Sequence, residues 1–195
     1  MKTIIKNIFF ALCALIMMPV TIIYFLLSLI FNKNALIASF SQLISLLPGK
    51  TGSYLRSGFY RFTLASCSSD ALVGFGTLFS QQDTEIGSGT YIGPQCNIGR
   101  CKIGRDALLG SGVHIMSGKG QHNFADSTKR IKDQGGVFSK IEVGENCWLG
   151  NGALVMANIG KNSVVAAGSV VVDDVPEGVV VGGNPAKILK VVQLI

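Results

Sequence analysis

Two histidines, His114 and His122, are the only imidazoles among 195 residues. An imidazole, with an ordinary pKa of about 6.5, is mostly free base at neutral pH. It can take a proton from a hydroxyl attacking an acyl carbon, a step worth about 10² to 10⁴ in rate. His122 lies in GKGQHNF, where an otherwise regular pattern is interrupted, and His114 directly precedes Ile115 within that pattern. The residue types alone leave open a solvated loop histidine at 122 and a structural or solvated one at 114. Five cysteines offer a second nucleophile class. Their odd count and the lack of any C-x-x-C argue against a disulfide framework or a zinc ribbon. An acyl-cysteine route needs an activated thiolate beside a base, whereas Cys96, Cys101 and Cys147 each sit two residues before an aliphatic residue, in a packing slot. The 24 glycines recur with the pattern and form no phosphate-cradling G-x-x-x-x-G-K-[ST] loop.

The elements that must position these groups follow from a period of six. Val73, Phe79, Ile86, Ile92, Ile98, Ile103, Leu109 and Ile115 repeat at that spacing with small deviations, and the series resumes at Val143, Leu149, Val155, Ile159, Val165 and Val171. Small residues such as Thr84, Thr90, Ala107 and Ala153 stand two positions before the aliphatic one. One strand-and-turn unit cannot bury its own apolar side, so such a period means a solenoid. A triangular coil accounts for both features, with aliphatic residues filling the interior and small ones at the corners. Between Ser117 and Lys140 the repeat is broken by SGKGQHNFADSTKRIKDQGGVFSK, and a solenoid ejects such an insertion as a loop on one side.

The front end differs in composition. The net charge of +6 comes entirely from residues 1–66, which hold Lys2, Lys6, Lys33, Lys50, Arg56 and Arg61 and no acid. Basic charge joined to apolar sequence points to a membrane surface and argues against a nucleic-acid face. The uncharged run between Lys6 and Lys33 is long enough to cross a hydrocarbon core of about 30 Å, with Pro19 kinking it near its middle. A kinked single-pass helix and a re-entrant hairpin both fit residues 1–33. Residues 34–66 read as an interfacial amphipathic helix, started by Asn34 and stopped by Pro48-Gly49, and then a linker mixing aromatic and basic residues. That linker either lies in the headgroup layer or packs on the domain that follows.

The segments IGSGTYIGPQCNIG, IGRDALLGSGVHI and VGENCWLGNGALV resemble the hexapeptide-repeat acyltransferases, in the branch of the maltose, galactoside and streptogramin O-acetyltransferases. The resemblance implies a mainly β fold, a left-handed parallel β-helix over 67–181, with about five coils at about 18 residues each, loop 117–140, and a C-terminal tail, 182–195. It implies His122 as general base, with the amide near Gly150-Asn151 receiving the oxyanion. It implies acetyl-CoA as donor, its pantetheine arm along Ala167 and Gly168, its phosphates at Lys187 and Lys190, and Trp148 walling the acyl pocket or packing on a neighbouring coil. No metal is implied: the γ-class carbonic anhydrases share the coil pattern but need three histidines per site.

The family is trimeric with sites between subunits, so a homotrimer is expected. The loop sequence resembles versions found with bacterial polysaccharide O-acetyltransferases. The acceptor expected is therefore a hydroxyl of a membrane-associated glycan or lipid-linked sugar, at the inner membrane with the solenoid on the cytoplasmic side. Alternatives are an amino sugar or antibiotic as acceptor, or a non-catalytic membrane-bound scaffold using the solenoid's flat faces.

Overall fold

A computed structural model describes residues 2–192, with side chains from residue 8. The repeat folds as a parallel β-helix of three sheets, one per face of a triangular prism. The first face stacks Ser66–Cys67, Glu85–Ile86, Cys101–Ile103 and Ile141–Val143, extended by bridges at Ile159 and Val175. The second runs through Val73, Ile92, Leu109, Leu149, Val165 and Val181, the third through Phe79, Ile98, Ile115, Val155 and Val171. These columns make about six turns, one more than the repeat count predicts, because Val175 and Val181 continue the solenoid beyond Asp173. Every aliphatic position of the period is buried in the prism's core, each contributing on the order of 1.5–3 kcal/mol.

The small slot before each aliphatic residue has a second use. Thr77, Thr84 and Thr90 send their hydroxyls to Gly93 O, Gly99 O and Gly104 O of the next coil at 2.7, 3.0 and 3.0 Å. Ser163 donates likewise to Pro176 O at 2.8 Å. A larger side chain here would not fit, and an apolar one would lose a buried bond between coils.

Four helices close the lower end: α1 (Lys2–Ile16), α2 (Met18–Ser28), α3 (Lys33–Ser45) and α4 (Gly49–Thr63). A solenoid's end coil presents backbone groups with no coil beneath them, an edge that must be covered. Side chains of α3 and α4 do this. Ser53 Oγ and Ser57 Oγ donate to Val73 O and Ala71 O at 2.7 and 2.6 Å, and Ser41 Oγ accepts Phe79 N at 3.2 Å. Residues 49–63 are therefore helix rather than linker, and Arg56, read from sequence as a membrane-side charge, is fully buried. Asn32, not Asn34, caps α3, accepting Asn34 N and Ala35 N at 2.9 and 3.2 Å, while Asn34 Oδ1 receives Gln82 N at 2.9 Å.

Pro19 interrupts the apolar run as expected: α1 and α2 meet at Met17 with a 51° bend. At the upper end the predicted tail is a strand. Ala186–Val191 turns back after Asn184-Pro185 and pairs antiparallel with Val179–Gly183, covering the edge of the second face.

Candidate active site

His122 stands on an arm that leaves the prism at the corner between the third and first faces, after Ile115 and before Ile141. The arm's two strands zip together: Ser139 N to Ser117 O at 2.9 Å, Val137 N to Gly120 O at 2.7 Å, Asn123 N to Gly135 O at 2.8 Å. At Gly136 the approach is close enough that a Cβ would lie 2.0 Å from Gln121 O, so only glycine fits beside the His122 backbone. Gln134 ties the tip, its amide bonding Asp126 O and Lys129 O at 2.8 and 2.9 Å. At the root, Arg100 Nη1 donates to Phe138 O at 2.8 Å while Arg100 Nε pairs with Asp83 at 2.8 Å. His122 is thus an exposed imidazole on a braced arm.

The expected donor-binding residues gather elsewhere. Trp148 projects from the second face, 52% exposed, in an outward row with Tyr91, Leu108 and Val164 that is apolar throughout. Lys187 and Lys190 lie on the strand ending the same sheet, paired with Gly182 and Val180. Ala167 and Gly168 follow at the corner between the second and third faces, stacked over Gly150 and Asn151. One structure therefore collects Trp148, Asn151, Ala167, Lys187 and Lys190 along one face and its far corner, and sets His122 on a different corner.

One expectation is corrected at this corner. The Gly150 amide donates to Val165 O at 2.8 Å within the coil ladder, so it has no free proton for an oxyanion. Glycine is needed there because a Cβ would come within 2.4 Å of Ala167 N. The Gly168 amide is spent as well, on Asn151 O at 2.9 Å. The Asn151 and Ala167 amides have no hydrogen-bond acceptor among the described residues, and Asn151 Oδ1 accepts Ser111 N at 3.1 Å, which fixes the corner's shape.

A cleft of about 280 Å³ opens against the third face, lined by Ser41 and Gln42 of α3, Asn97, His114, Ser117 and Gln121. Asn97 Nδ2 stands 3.4 Å from His114 Nδ1. His122 does not line this cleft, but its neighbour Gln121 does, at the root of the arm. Sequence reasoning missed Asn97, Gln121 and the α3 pair. The available signal was the outward register of the third face, where polar Asn97 and His114 interrupt Leu78, Leu154 and Val170.

The cysteines are spent on packing. Cys96 Sγ and Cys147 Sγ donate to Gly110 O and Gly160 O at 3.2 and 3.1 Å, and burial pushes both thiols up, as it does for Cys101. A raised thiol is a poor nucleophile at neutral pH. Among the described residues no cluster of side chains has the makeup of a metal site.

Residues 83–117 match the family described as Bacterial transferase hexapeptide (six repeats). The six-residue repeat read from the sequence and the matched family model coincide over these residues. WbbJ of Escherichia coli (strain K12), provisionally named a lipopolysaccharide biosynthesis O-acetyl transferase, is 32% identical over 124 residues, 60% of this chain and 62% of that one. The chain spans less than two thirds of the length of the curated relatives it matches. Among solved structures, a maltose O-acetyltransferase from Clostridium difficile 630 superposes with a TM-score of 0.71 at 20% identity, over 84% of this chain and 90% of that one. A galactoside acetyltransferase in complex with coenzyme A gives 0.68 at 20% identity, over 84% of each chain. At that identity the likeness shows a shared fold over the covered part of the chain.

Proposed function

We propose that this protein is an O-acetyltransferase that moves acetyl from acetyl-CoA to a hydroxyl of a membrane-associated glycan or lipid-linked sugar. The observation that carries the reading is the separation of a braced, exposed imidazole on one corner of the prism from an apolar, lysine-topped face ending at another. In a homotrimer of prisms packed side by side, the arm of one chain meets the second face of the next, so each site takes residues from two chains. The relatives named for O-acetyl transfer, and the neighbour holding coenzyme A, support the same chemistry.

In this mechanism Trp148 and the apolar row hold the pantetheine arm and acyl group, Ala167 lies beside the arm, and Lys187 and Lys190 meet the nucleotide phosphates as point charges. His122 accepts the acceptor's hydroxyl proton while the sugar oxygen bonds to the thioester carbon. The Asn151 amide, not that of Gly150, receives the oxyanion. Collapse of the tetrahedral adduct breaks the C–S bond, and the His122 proton leaves with the thiol of coenzyme A. The products are the O-acetyl ester and free coenzyme A.

The test is release of coenzyme A thiol from acetyl-CoA with glycan extracts, together with mass spectrometry of surface polysaccharide from cells with and without the gene. His122→Ala is expected to lower the rate by about 10² to 10⁴ with an unchanged melting temperature. Full activity in that variant removes His122 from the role of base. No release with any glycan, amino sugar or antibiotic acceptor favours the scaffold reading.

A further inference from the structure

Among the described residues, the helices α1 and α2 carry a dense run of exposed large apolar side chains. At 1.5 Å per residue they are roughly 22 and 16 Å long, each short of a hydrocarbon core of about 30 Å. No single helix among the described residues is long and apolar enough to cross a membrane, and the pair is bent by 51°. Their inner sides are committed. Phe10 packs edge-on to Tyr54 of α4 at 4.7 Å, and Tyr24 packs on Phe40 of α3 and Phe59 of α4 at 5.5 and 5.7 Å. Gly58 of α4 brings α1 so close that a Cβ there would lie 2.9 Å from Ala14 Cα. Thr21 Oγ1 donates to Met17 O at 3.0 Å beside the bend. Straightening the pair into a span would pull α1 or α2 off the helices it packs on.

From Ile8 onward the outer sides are apolar. Leu12, Leu15 and Ile16 of α1 and Ile22, Ile23 and Leu26 of α2 are exposed. The turn after α2 carries Leu29 and Ile30, 81% and 80% exposed, followed by Phe31. A monomeric protein rarely leaves a contiguous apolar patch larger than a few hundred Å² uncovered. Exposed Lys33, Lys50 and Arg61 lie on the flanking helices, no acid precedes Asp70, and none of the ion pairs among the described residues involves these cations.

We propose that α1 and α2 are a monotopic seat: they lie in the interface of an anionic bilayer with their bend intact, and neither end of the chain crosses. Apolar area supplies the burial, and the acid-free basic flank selects anionic headgroups. Helix α3 packs on α2 and lines the third-face cleft through Ser41 and Gln42, and Leu43 on it and Leu46 just past its end are exposed. On this seat the cleft opens beside the headgroup layer. This placement deepens the membrane-associated part of the proposed function, but the seat itself does not depend on His122.

Flotation of the full chain with vesicles of phosphatidylcholine, or of phosphatidylcholine with about one third phosphatidylglycerol, tests it. The protein is expected to float with the anionic vesicles, and Leu26→Asp/Ile30→Asp to lower the floated fraction about tenfold with an unchanged melting temperature. In sealed inside-out membrane vesicles, external protease is expected to remove an N-terminal tag and a C-terminal tag alike. A protected N-terminal tag, equal flotation with neutral vesicles, or a dimer held together by Leu26 and Ile30 overturns the seat. Coenzyme A release on a soluble acceptor is expected to survive Leu26→Asp/Ile30→Asp, so loss of the seat and loss of the chemistry are read separately.

Discussion

Arg56 Nε donates to Val73 O at 3.0 Å from a guanidinium with no solvent exposure. The same side chain bonds Ser45 O, at the end of α3, at 3.4 Å, and Leu47 O just past it. One residue of α4 thus joins the end of α3 to the first coil of the solenoid. Burial lowers the guanidinium's pKa from its ordinary value, yet an arginine remains charged at any physiological pH. Removing it leaves buried carbonyls unpaired and a cavity behind. Arg56→Ala is expected to cost about 3–5 kcal/mol and Arg56→Lys, which keeps a charge but loses the fork, somewhat less. Urea denaturation of the full chain measures both; equal stability of Arg56→Ala and the parent would show that the helices and solenoid are not coupled through this residue.

The corner glycines separate packing from chemistry. Gly150→Ala places a methyl group 2.4 Å from Ala167 N, where backbone cannot yield, and is expected to cost about 3 kcal/mol or more. At Gly152, φ is +68° with nothing within 4 Å of an added Cβ, so Gly152→Ala should cost only about 1–2 kcal/mol. Thermal unfolding of the two variants ranks them, and the reverse order would contradict the close stacking of the coils.

Alkaline pH should weaken the fold through Cys67. Burial, with a smaller contribution from the Asp70 carboxylate, pushes its thiol from 9.0 up to about 12. Because the folded pKa lies above the unfolded one, its contribution is fully present below about pH 9 and declines as pH rises toward about 12, by up to about 1.4 kcal/mol per unit. Urea midpoints taken across that window should fall with pH, and Cys67→Ala should flatten the slope. A slope unchanged by the substitution would assign the alkaline loss to other groups.

Arg100 acts on the arm from its root. Its partly exposed pair with Asp83 is worth under about 1 kcal/mol to global stability. Its bond to Phe138 O, however, holds the returning strand of the arm in place. Arg100→Ala is expected to raise hydrogen exchange across 118–138 and to lower kcat more than KM, with little change in melting temperature. Undisturbed exchange in the arm would leave Arg100 without this positioning role.

Local pattern carried much of this molecule. The six-residue period of aliphatics marked the columns of the core, and the small slot placed Cys96 and Cys147 correctly as packing residues. Pro19 marked the bend, and the break in the period marked the arm that bears His122. The sixth turn of the solenoid, at Val175 and Val181, was hidden because Pro176 and Glu177 disturb the local motif while the column continues.

The chain's own order of residues determined the prism, its corners and the position of its insertion, because each depends on neighbours within one six-residue step. Tertiary structure alone decided how the polar groups are used. Arg56 looked like a surface charge until α4 placed it under Val73, and Gly150 looked like an amide donor until the coil above took its proton. Ser41 and Gln42 share a cleft with His114 only because α3 packs against the third face. Whether a donor is free or spent, and which side chains share a cleft, depends on partners a full coil or more away in sequence, and no local spacing records them.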